Sequence, residues 1–186
     1  MLVSSVWRER SRWWFSAGLL AGGLTSAVVA VALGLLVRPV VRPVPAAFVV
    51  GAVAVLVCLN ELGVLRLPLP QNGRQVPESI GDDGPRYGAL HFGFEMGTGV
   101  RTYMTTGLPH VLVLTVALCA TWPQGLAAGL AFGAGRAAMV LARHAHRDDG
   151  HWDARLATYD RTLRPLLTFA CGCVLAVVLL AATRTG

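Results

Sequence analysis

Opposite charges set among glycines make residues 87–106 the part of this sequence best equipped for chemistry. Glu95 and Arg101 lie within it, and three glycines accompany them: Gly93, Gly97 and Gly99. A carboxylate and a guanidinium around one site can bind a polar solute or relay an ion, whereas the same groups held against each other form a structural ion pair. Glu95 and Arg101 are therefore candidates for a substrate or ion pathway.

The spacing of the two charges predicts how the backbone must behave. Glu95 and Arg101 are six residues apart, about 600° around a helix, so they would not share a face of an unbroken α-helix. Either the helix breaks near Gly97 to Gly99, or each charge has a different partner. Glycine permits such a break because it adopts backbone conformations closed to other residues.

Two further titratable residues join this candidate pathway. Glu61 lies near the end of a predicted span and is a candidate partner for Arg101 or Arg136. His110 follows Pro109, and imidazole changes its charge near physiological pH, although a hydrogen-bonded histidine near an interface is the commoner finding. No nucleophile and base pair accompanies these residues. An enzyme is therefore the weakest interpretation, and the sequence indicates no catalytic residue and no particular cofactor.

Metal and thiol chemistry are both disfavoured. One polar string imitates a metal site because it is dense in imidazole and carboxylate groups, namely His144, His146, Asp148, Asp149, His151 and Asp153. Arg147 and Arg155 oppose cation binding there, so a solvated loop near lipid headgroups is favoured and we predict no metal site. The four cysteines fall in apolar stretches without a Cys-x-x-Cys motif, which favours packing over reactivity: Cys58, Cys119, Cys171 and Cys173.

Long apolar stretches are the elements that must position these residues. The 186 residues are 54% hydrophobic and 14% charged, and the mean hydropathy is +0.57. Uncharged stretches cover Trp14 to Val37, Pro45 to Leu59 and Leu166 to Thr183. About 20 apolar residues cross the hydrocarbon layer as a helix, which pairs its backbone groups internally. The sequence therefore predicts an all-α, polytopic membrane helix bundle that forms a single domain over residues 1–186.

Five transmembrane helices are predicted, at about 13–37, 46–65, 107–121, 125–142 and 165–183. Polar loops are predicted at about 67–86 and 143–164, and the proline-rich connector 37–45 is expected to be extended. Residues 87–106 are too polar for a lipid-facing span and too apolar for a solvated loop, which indicates a glycine-rich broken or re-entrant segment. The alternatives are an amphipathic interfacial helix and a complete sixth crossing.

The arginines predict the orientation. Eleven of the 16 basic residues fall in the N-terminal tail and in the segments assigned to the cytoplasm, namely Arg8, Arg10, Arg12, Arg66, Arg74, Arg86, Arg143, Arg147, Arg155, Arg161 and Arg164. Three fall outside: Arg38, Arg42 and Arg184. The positive-inside rule then predicts a multi-pass plasma-membrane protein with a cytoplasmic N-terminus. The first apolar run exceeds the core of a signal peptide, so we expect it to be retained.

Glycine spacing predicts close helix packing. A four-residue repeat joins Gly125, Gly129 and Gly133, and Gly18 and Gly22 repeat the same spacing. Small residues at this interval allow two helix backbones to approach each other. We predict a compact bundle or dimer in which these glycines, and those of residues 87–106, serve packing or act as hinges.

Three segments resemble one group of membrane proteins: Leu65–Pro77, Phe92–Arg101 and Gly129–Gly133. They look like the transmembrane region of actinobacterial proteins related to the CcdA/DsbD group of cytochrome c biogenesis, which moves reducing equivalents across the membrane by thiol–disulfide chemistry. That group carries its working cysteines on two pseudo-symmetric helices. No cysteine here lies beside a proline at an equivalent position, so the resemblance implies the architecture, a small multi-helix protein with interrupted helices, rather than thiol transfer.

Two function classes follow from these observations. A transporter-like protein would convey a small solute or reducing equivalents through a central cavity, using Glu95, Arg101, Glu61 and His110. A non-catalytic membrane subunit or assembly partner would use the same charges to hold its helices or a neighbour. The expected surroundings are the lipid bilayer and a membrane protein partner or second copy, without nucleic acid. We favour the first class; the test is whether Glu95 and Arg101 face a hydrated cavity or are fully paired.

Overall fold

Six α-helices make up the part of the chain that the computed structural model describes, residues 11–41, 43–68, 80, 84–102, 104, 106–145 and 149–184. They are α1 (Ser11–Val37), α2 (Pro43–Glu61), α3 (Gly84–Thr98), α4 (Leu108–Cys119), α5 (Trp122–Ala145) and α6 (Asp149–Arg184). These described residues contain no β-strand, which confirms the all-α prediction.

Three of the helices are long and apolar enough to cross a membrane. Among the described residues they are α1, α2 and the Trp122–Ala142 part of α5. The predicted third span is represented by α4, which has only 12 residues, and the predicted fifth by the shorter apolar stretch Pro165–Val177 within α6. The structure thus bears out a helical, strongly apolar chain, but not the count of five full-length spans.

A tight turn over residues 38–41 follows α1, where an extended connector was predicted. The N–H of Arg38 donates to the carbonyl of Gly34 (2.8 Å), and the N–H of Val40 donates to that of Val37 (3.0 Å). Helix α2 then begins at Pro43. The first turn of a helix tolerates proline because an N–H in that position would lack an intrahelical acceptor anyway.

Helix α2 stops at Glu61, four residues before the end predicted for the second span. Gly63 adopts a left-handed conformation, with φ +76°. The N–H groups of Gly63 and Val64 donate to the carbonyls of Asn60 (3.1 Å) and Leu59 (3.0 Å). This is the glycine-terminated ending that satisfies the last carbonyls of a helix, and it excludes residues 62–65 from α2.

The stretch 143–164, predicted to be a polar loop, is largely helical. Helix α5 continues to Ala145 and α6 starts at Asp149. The prediction was wrong because polarity alone does not end a helix: no glycine or proline lies between Gly150 and Pro165, and Leu and Arg in this stretch are good helix formers. Pro165 itself lies inside α6, where it removes one N–H donor.

Two compact units divide the chain. The first comprises Met1–Val28, Gln71–Met104 and Leu126–Trp152, and the second comprises Val29–Pro70, Thr105–Gly125 and Asp153–Gly186. Helices α1 and α5 therefore each contribute one part to the first unit and the other part to the second. The first unit holds the charged segment that follows α3, and the second holds α2 and α4.

In the first unit, α3 packs against α1 through glycines on both helices: Gly18 and Gly22 of α1, and Gly93 and Gly97 of α3. A Cβ atom on Gly22 would lie 2.7 Å from the backbone N of Thr98, and one on Gly97 would lie 2.5 Å from the carbonyl O of Leu19. Real Cβ atoms do not approach backbone so closely. Residues later in α1 contact residues later in α3, so the two helices run parallel.

A second glycine face of α1 holds α5. A Cβ on Gly129 would lie 2.6 Å from the carbonyl O of Gly23, and one on Gly133 would lie 2.6 Å from that of Leu19. These contacts run in opposite order along the two helices, so this part of α5 is antiparallel to α1. Small residues on both faces let α1 act as the central helix of the first unit.

The second unit is built around the contact between α2 and α4. Val50 of α2 and Val31 of α1 are fully enclosed, and Val111 and Val116 of α4 are buried as well. Gly125, at the start of α5, leaves room for this cluster, since a Cβ there would collide with Val31 and lie 3.3 Å from Cγ1 of Val116. Valine and alanine side chains form most of this core, and Gly34 of α1 lies against the backbone of Ala117.

The pair Gly133 and Gly135 offers a matched test of the first unit. Replacing Gly133 with alanine should lower the free energy of unfolding by about 1–3 kcal/mol, because the methyl group would meet backbone. Gly135→Ala should be neutral or stabilising by up to about 1 kcal/mol, since nothing lies within 4 Å of its Cβ position and alanine favours helix. Thermal unfolding of both purified variants measures the difference. Equal stabilities would show that α1 and α5 are not in contact at Gly133.

Candidate functional site

Glu95 and Arg101 form an ion pair at the end of α3. The Nε of Arg101 lies 3.5 Å from Oε2 of Glu95. Helix α3 ends at Thr98, and Gly99 then adopts φ +73°, a conformation that residues with a Cβ rarely reach. The chain turns there and brings the guanidinium back to a carboxylate that it would face away from on a continuous helix. Of the two alternatives left open by the spacing, the structure has the broken helix.

Hydroxyl groups fix the turn that follows α3. Oγ1 of Thr98 donates to the carbonyl of Glu95 (2.7 Å) and accepts from the N–H of Val100 (3.3 Å). Oγ of Ser26, on α1, donates to the carbonyl of Thr98 (2.9 Å). Backbone groups released by the end of α3 are thus bound by side chains, so the position of Arg101 is set by a hydrogen-bonded turn.

An imidazole and a groove adjoin the pair. Nε2 of His91 lies 3.8 Å from Oε1 of Glu95, one helical turn earlier on α3. The Glu95 side chain is 19% exposed, whereas Arg101 and His91 remain 39% and 49% exposed. His91 also lines an open, mostly apolar groove of about 550 Å³ together with Ala21, Tyr87, Leu90 and Phe94. The carboxylate is therefore paired, and the side chains of Arg101 and His91 both stay partly exposed.

Arg136 of α5 reaches the same segment of chain. Its Nη2 donates to Oγ1 of Thr102 (3.0 Å), and its Cζ lies 5.7 Å from the centroid of the Phe132 ring. The Thr102 side chain is buried. The sequence suggested Arg136 as a partner for Glu61 and did not single out Thr102. The threonines within residues 87–106 could have indicated a hydroxyl partner for an arginine.

Glu61 caps a helix in the second unit. Its Oε1 accepts a hydrogen bond from the N–H of Gly107 (2.7 Å), at the position before α4, where Gly107 supplies no side-chain cap of its own. Negative charge is favourable at a helix N-terminus because the first N–H groups lack intrahelical partners. The described partners of Arg101 and Arg136 are Glu95 and Thr102 in the first unit, and a partnership of either arginine with Glu61 stays a prediction.

Arg38 performs the complementary task at the other end of α4. Its Nε donates to the carbonyl of Ala117 (2.8 Å), and its Nη2 donates to that of Val116 (2.8 Å). A cation at a helix C-terminus satisfies the unpaired carbonyls and opposes the negative end of the dipole. From the sequence, Arg38 was assigned only to membrane orientation, because no local pattern connects it with Val116 and Ala117, nearly 80 positions away.

The remaining candidates are distributed between the units. His110 lies in the first turn of α4, in the second unit with Glu61, whereas Glu95 and Arg101 belong to the first. The N–H of His110 donates to the carbonyl of Gly107 (3.0 Å). A pathway role for His110 stays a prediction. The side chains of the polar string 144–153 lie outside the described residues.

Comparisons with known protein families, with characterised proteins and with solved structures gave no match to this chain. The resemblance of three segments to the CcdA/DsbD group therefore stays a prediction. Function has to be inferred from the geometry of the side chains themselves.

A pair of substitutions at Glu61 separates capping from an ionic role. Glu61→Gln should change the free energy of unfolding by less than about 0.5 kcal/mol, because the amide oxygen can accept the same hydrogen bond. Glu61→Leu should lower it by about 1–3 kcal/mol, because the N–H of Gly107 then loses its acceptor. Denaturant unfolding of both variants gives the comparison. A loss in the glutamine variant as large as in the leucine variant would show that the negative charge itself is required.

Proposed function

We propose that this chain is a multi-pass plasma-membrane protein with a cytoplasmic N-terminus. The support comes from apolar surface: only 33%, 22% and 22% of the most apolar windows of the three long helices is buried within the chain. Large side chains point outward on α1, α2 and α6, among them Leu36, Phe48 and Phe169. Water does not tolerate contiguous apolar surface on this scale, whereas a hydrocarbon layer does.

The same proposal includes five crossings, the third of which is interrupted. Helix α3 has 15 residues and α4 has 12, about 22 and 18 Å at 1.5 Å per residue, so neither spans a hydrocarbon core of about 30 Å. In the first unit α3 runs parallel to α1. In the second, Glu61 at the end of α2 meets the start of α4, so α4 runs opposite to α2. Two consecutive helices that are each too short to span, α3 and α4, suit one interrupted crossing.

Labelling of introduced cysteines tests this topology. In a chain whose four native cysteines are replaced by alanine, Thr121→Cys should react with a membrane-impermeant maleimide in intact cells, and Gln75→Cys only after lysis. A sixth crossing would place residue 121 in the cytoplasm and protect it. A chain that is not embedded would fractionate away from the membrane pellet.

We further propose that the interrupted crossing serves a transporter-like function and conveys a small solute. The single observation that carries this proposal is the Glu95–Arg101 pair, placed where α3 breaks in an otherwise apolar chain. Ionisable groups in membrane segments are costly and are usually retained for a polar task, and transporters build substrate sites at interrupted helices. The partial exposure of Arg101 and His91 would let a polar solute reach them.

A non-catalytic membrane subunit is the second candidate, and the pairing itself favours it. Glu95 meets Arg101 at 3.5 Å and His91 at 3.8 Å, so its charge already has partners. The exposed apolar faces could then contact a neighbouring subunit as readily as lipid. In that case the pair would hold the turn after α3 and would contact no solute.

Substitution of the pair distinguishes these functions. Purification in mild detergent followed by mass spectrometry identifies solutes that accompany the parent chain. Glu95→Gln and Arg101→Ala should each reduce the bound solute at least tenfold, because each removes one charge from the site, whereas Arg86→Gln, an exposed arginine at the start of α3, should not.

Three outcomes separate the alternatives. A solute that both pair variants retain would exclude the pair from a substrate site. Loss of a co-purifying protein instead of a solute would favour the subunit. Conveyance of reducing equivalents requires thiols, so it would be abolished in the chain without cysteines, whereas conveyance of a solute would persist.

A further inference from the structure

Arg136 places a charge at the middle of the apolar part of α5. The apolar window of this helix runs from Trp122 to Ala142, and Phe132 lies at its centre. The guanidinium of Arg136 lies over the Phe132 ring, 5.7 Å from its centroid. It therefore points back along the helix, away from the nearer end at Ala142. Arginines that serve membrane interfaces extend toward the nearer end instead.

The hydrogen-bonding capacity of this guanidinium is largely unused among the residues that the structure describes. A guanidinium has five N–H donors, and within that part of the chain Arg136 donates one hydrogen bond, from Nη2 to Oγ1 of Thr102. The nearby carboxylate of Glu95 is occupied by Arg101. Within the described residues, then, no carboxylate pairs with Arg136. Around the turn that follows α3, the described residues place two guanidinium groups, those of Arg101 and Arg136, and one carboxylate, that of Glu95.

Thr102 supplies a second donor at the same place. Its Oγ1 accepts from Arg136 and still has its own hydrogen to donate. Its side chain is 9% exposed, so water competes little for that hydrogen. A guanidinium fork beside a sheltered hydroxyl matches the oxygen atoms of a tetrahedral oxyanion, which a planar fork can bind through two parallel hydrogen bonds.

We propose that Arg136 and Thr102 form a binding site for a phosphate group. Such an anion would supply the charge that Arg136 lacks and acceptors for its remaining N–H groups. The phosphate belongs either to a soluble solute or to the headgroup of an anionic lipid, because both present the same oxygen atoms. The site goes beyond the proposed transport function, since an anion can occupy it whether or not the chain conveys anything.

Binding measurements on the full chain test the site. Inorganic phosphate is titrated into protein in neutral detergent against chloride at matched ionic strength, and the thermal unfolding midpoint is followed, because a ligand that binds the native state raises it. A second arm compares bilayer nanodiscs of phosphatidylcholine with nanodiscs that also contain phosphatidylglycerol. Saturable stabilisation by phosphate identifies a soluble anion, and stabilisation by phosphatidylglycerol alone identifies a lipid headgroup; both support the site.

Variants then assign that binding to the named residues. Arg136→Gln should weaken it at least tenfold, Arg136→Lys should weaken it less because the charge remains, and Thr102→Val should weaken it without changing the net charge. Arg86→Gln is the control for general charge and should bind as the parent does. The proposal is overturned if the parent shows no saturable response to phosphate or to the anionic lipid, or if Thr102→Val and Arg136→Lys both bind as the parent does. The lysine and valine variants decide the question even if Arg136→Gln does not fold.

Discussion

The unpaired backbone groups at the ends of short helices are the constraint on which this structure depends. Each helix leaves its first N–H groups and last carbonyls without intrahelical partners, and an apolar environment makes unpaired groups costly. Helices α3 and α4 have 15 and 12 residues, so a large share of their backbone belongs to ends. The polar side chains near these two helices are largely occupied with that problem.

Helix α4 shows how the problem is solved. Glu61 accepts a hydrogen bond from the N–H of Gly107 before its first turn, and Arg38 donates to the carbonyls of Val116 and Ala117 in its last turn. Both charges have the sign that the helix dipole favours. Because they come from the ends of α2 and α1, capping also fixes where α4 lies within the second unit. Charge here determines architecture before it determines any chemistry.

In the first unit, glycines, which have no side chain, help to satisfy the backbone groups at a helix end. Glycines on two faces of α1 let α3 and α5 approach its backbone, and at this distance the hydroxyl of Ser26 reaches the carbonyl of Thr98. Close packing thus provides the partner for a helix end. Against this background Arg136 differs from Arg38, since among the described residues its guanidinium binds a hydroxyl and no backbone carbonyl. That difference is the basis of the proposed phosphate site.

Much of the local structure could be read from residue type and period. Apolar runs predicted α1, α2 and the apolar parts of α5 and α6, because helix formation within one segment needs only its own backbone. The break after Glu95 was also within reach, since charges six residues apart beside glycines suit a turn. Predictions failed where a local rule was incomplete: polarity suggested a loop at 143–164, yet without a breaker the helix continued.

The amino-acid sequence by itself determined that this chain is all-helical and strongly apolar, because those properties follow from hydrophobicity over short distances. A break near Gly99 was one of the alternatives that the sequence left open. Only the tertiary structure decided what the charges do. It assigned Glu61 and Arg38 to the ends of α4, paired Glu95 with Arg101, and placed Arg136 beside Thr102. Apart from Glu95 and Arg101, these partners lie tens of residues apart along the chain and meet only through helix packing. The spacing of residues in the sequence does not predict that packing.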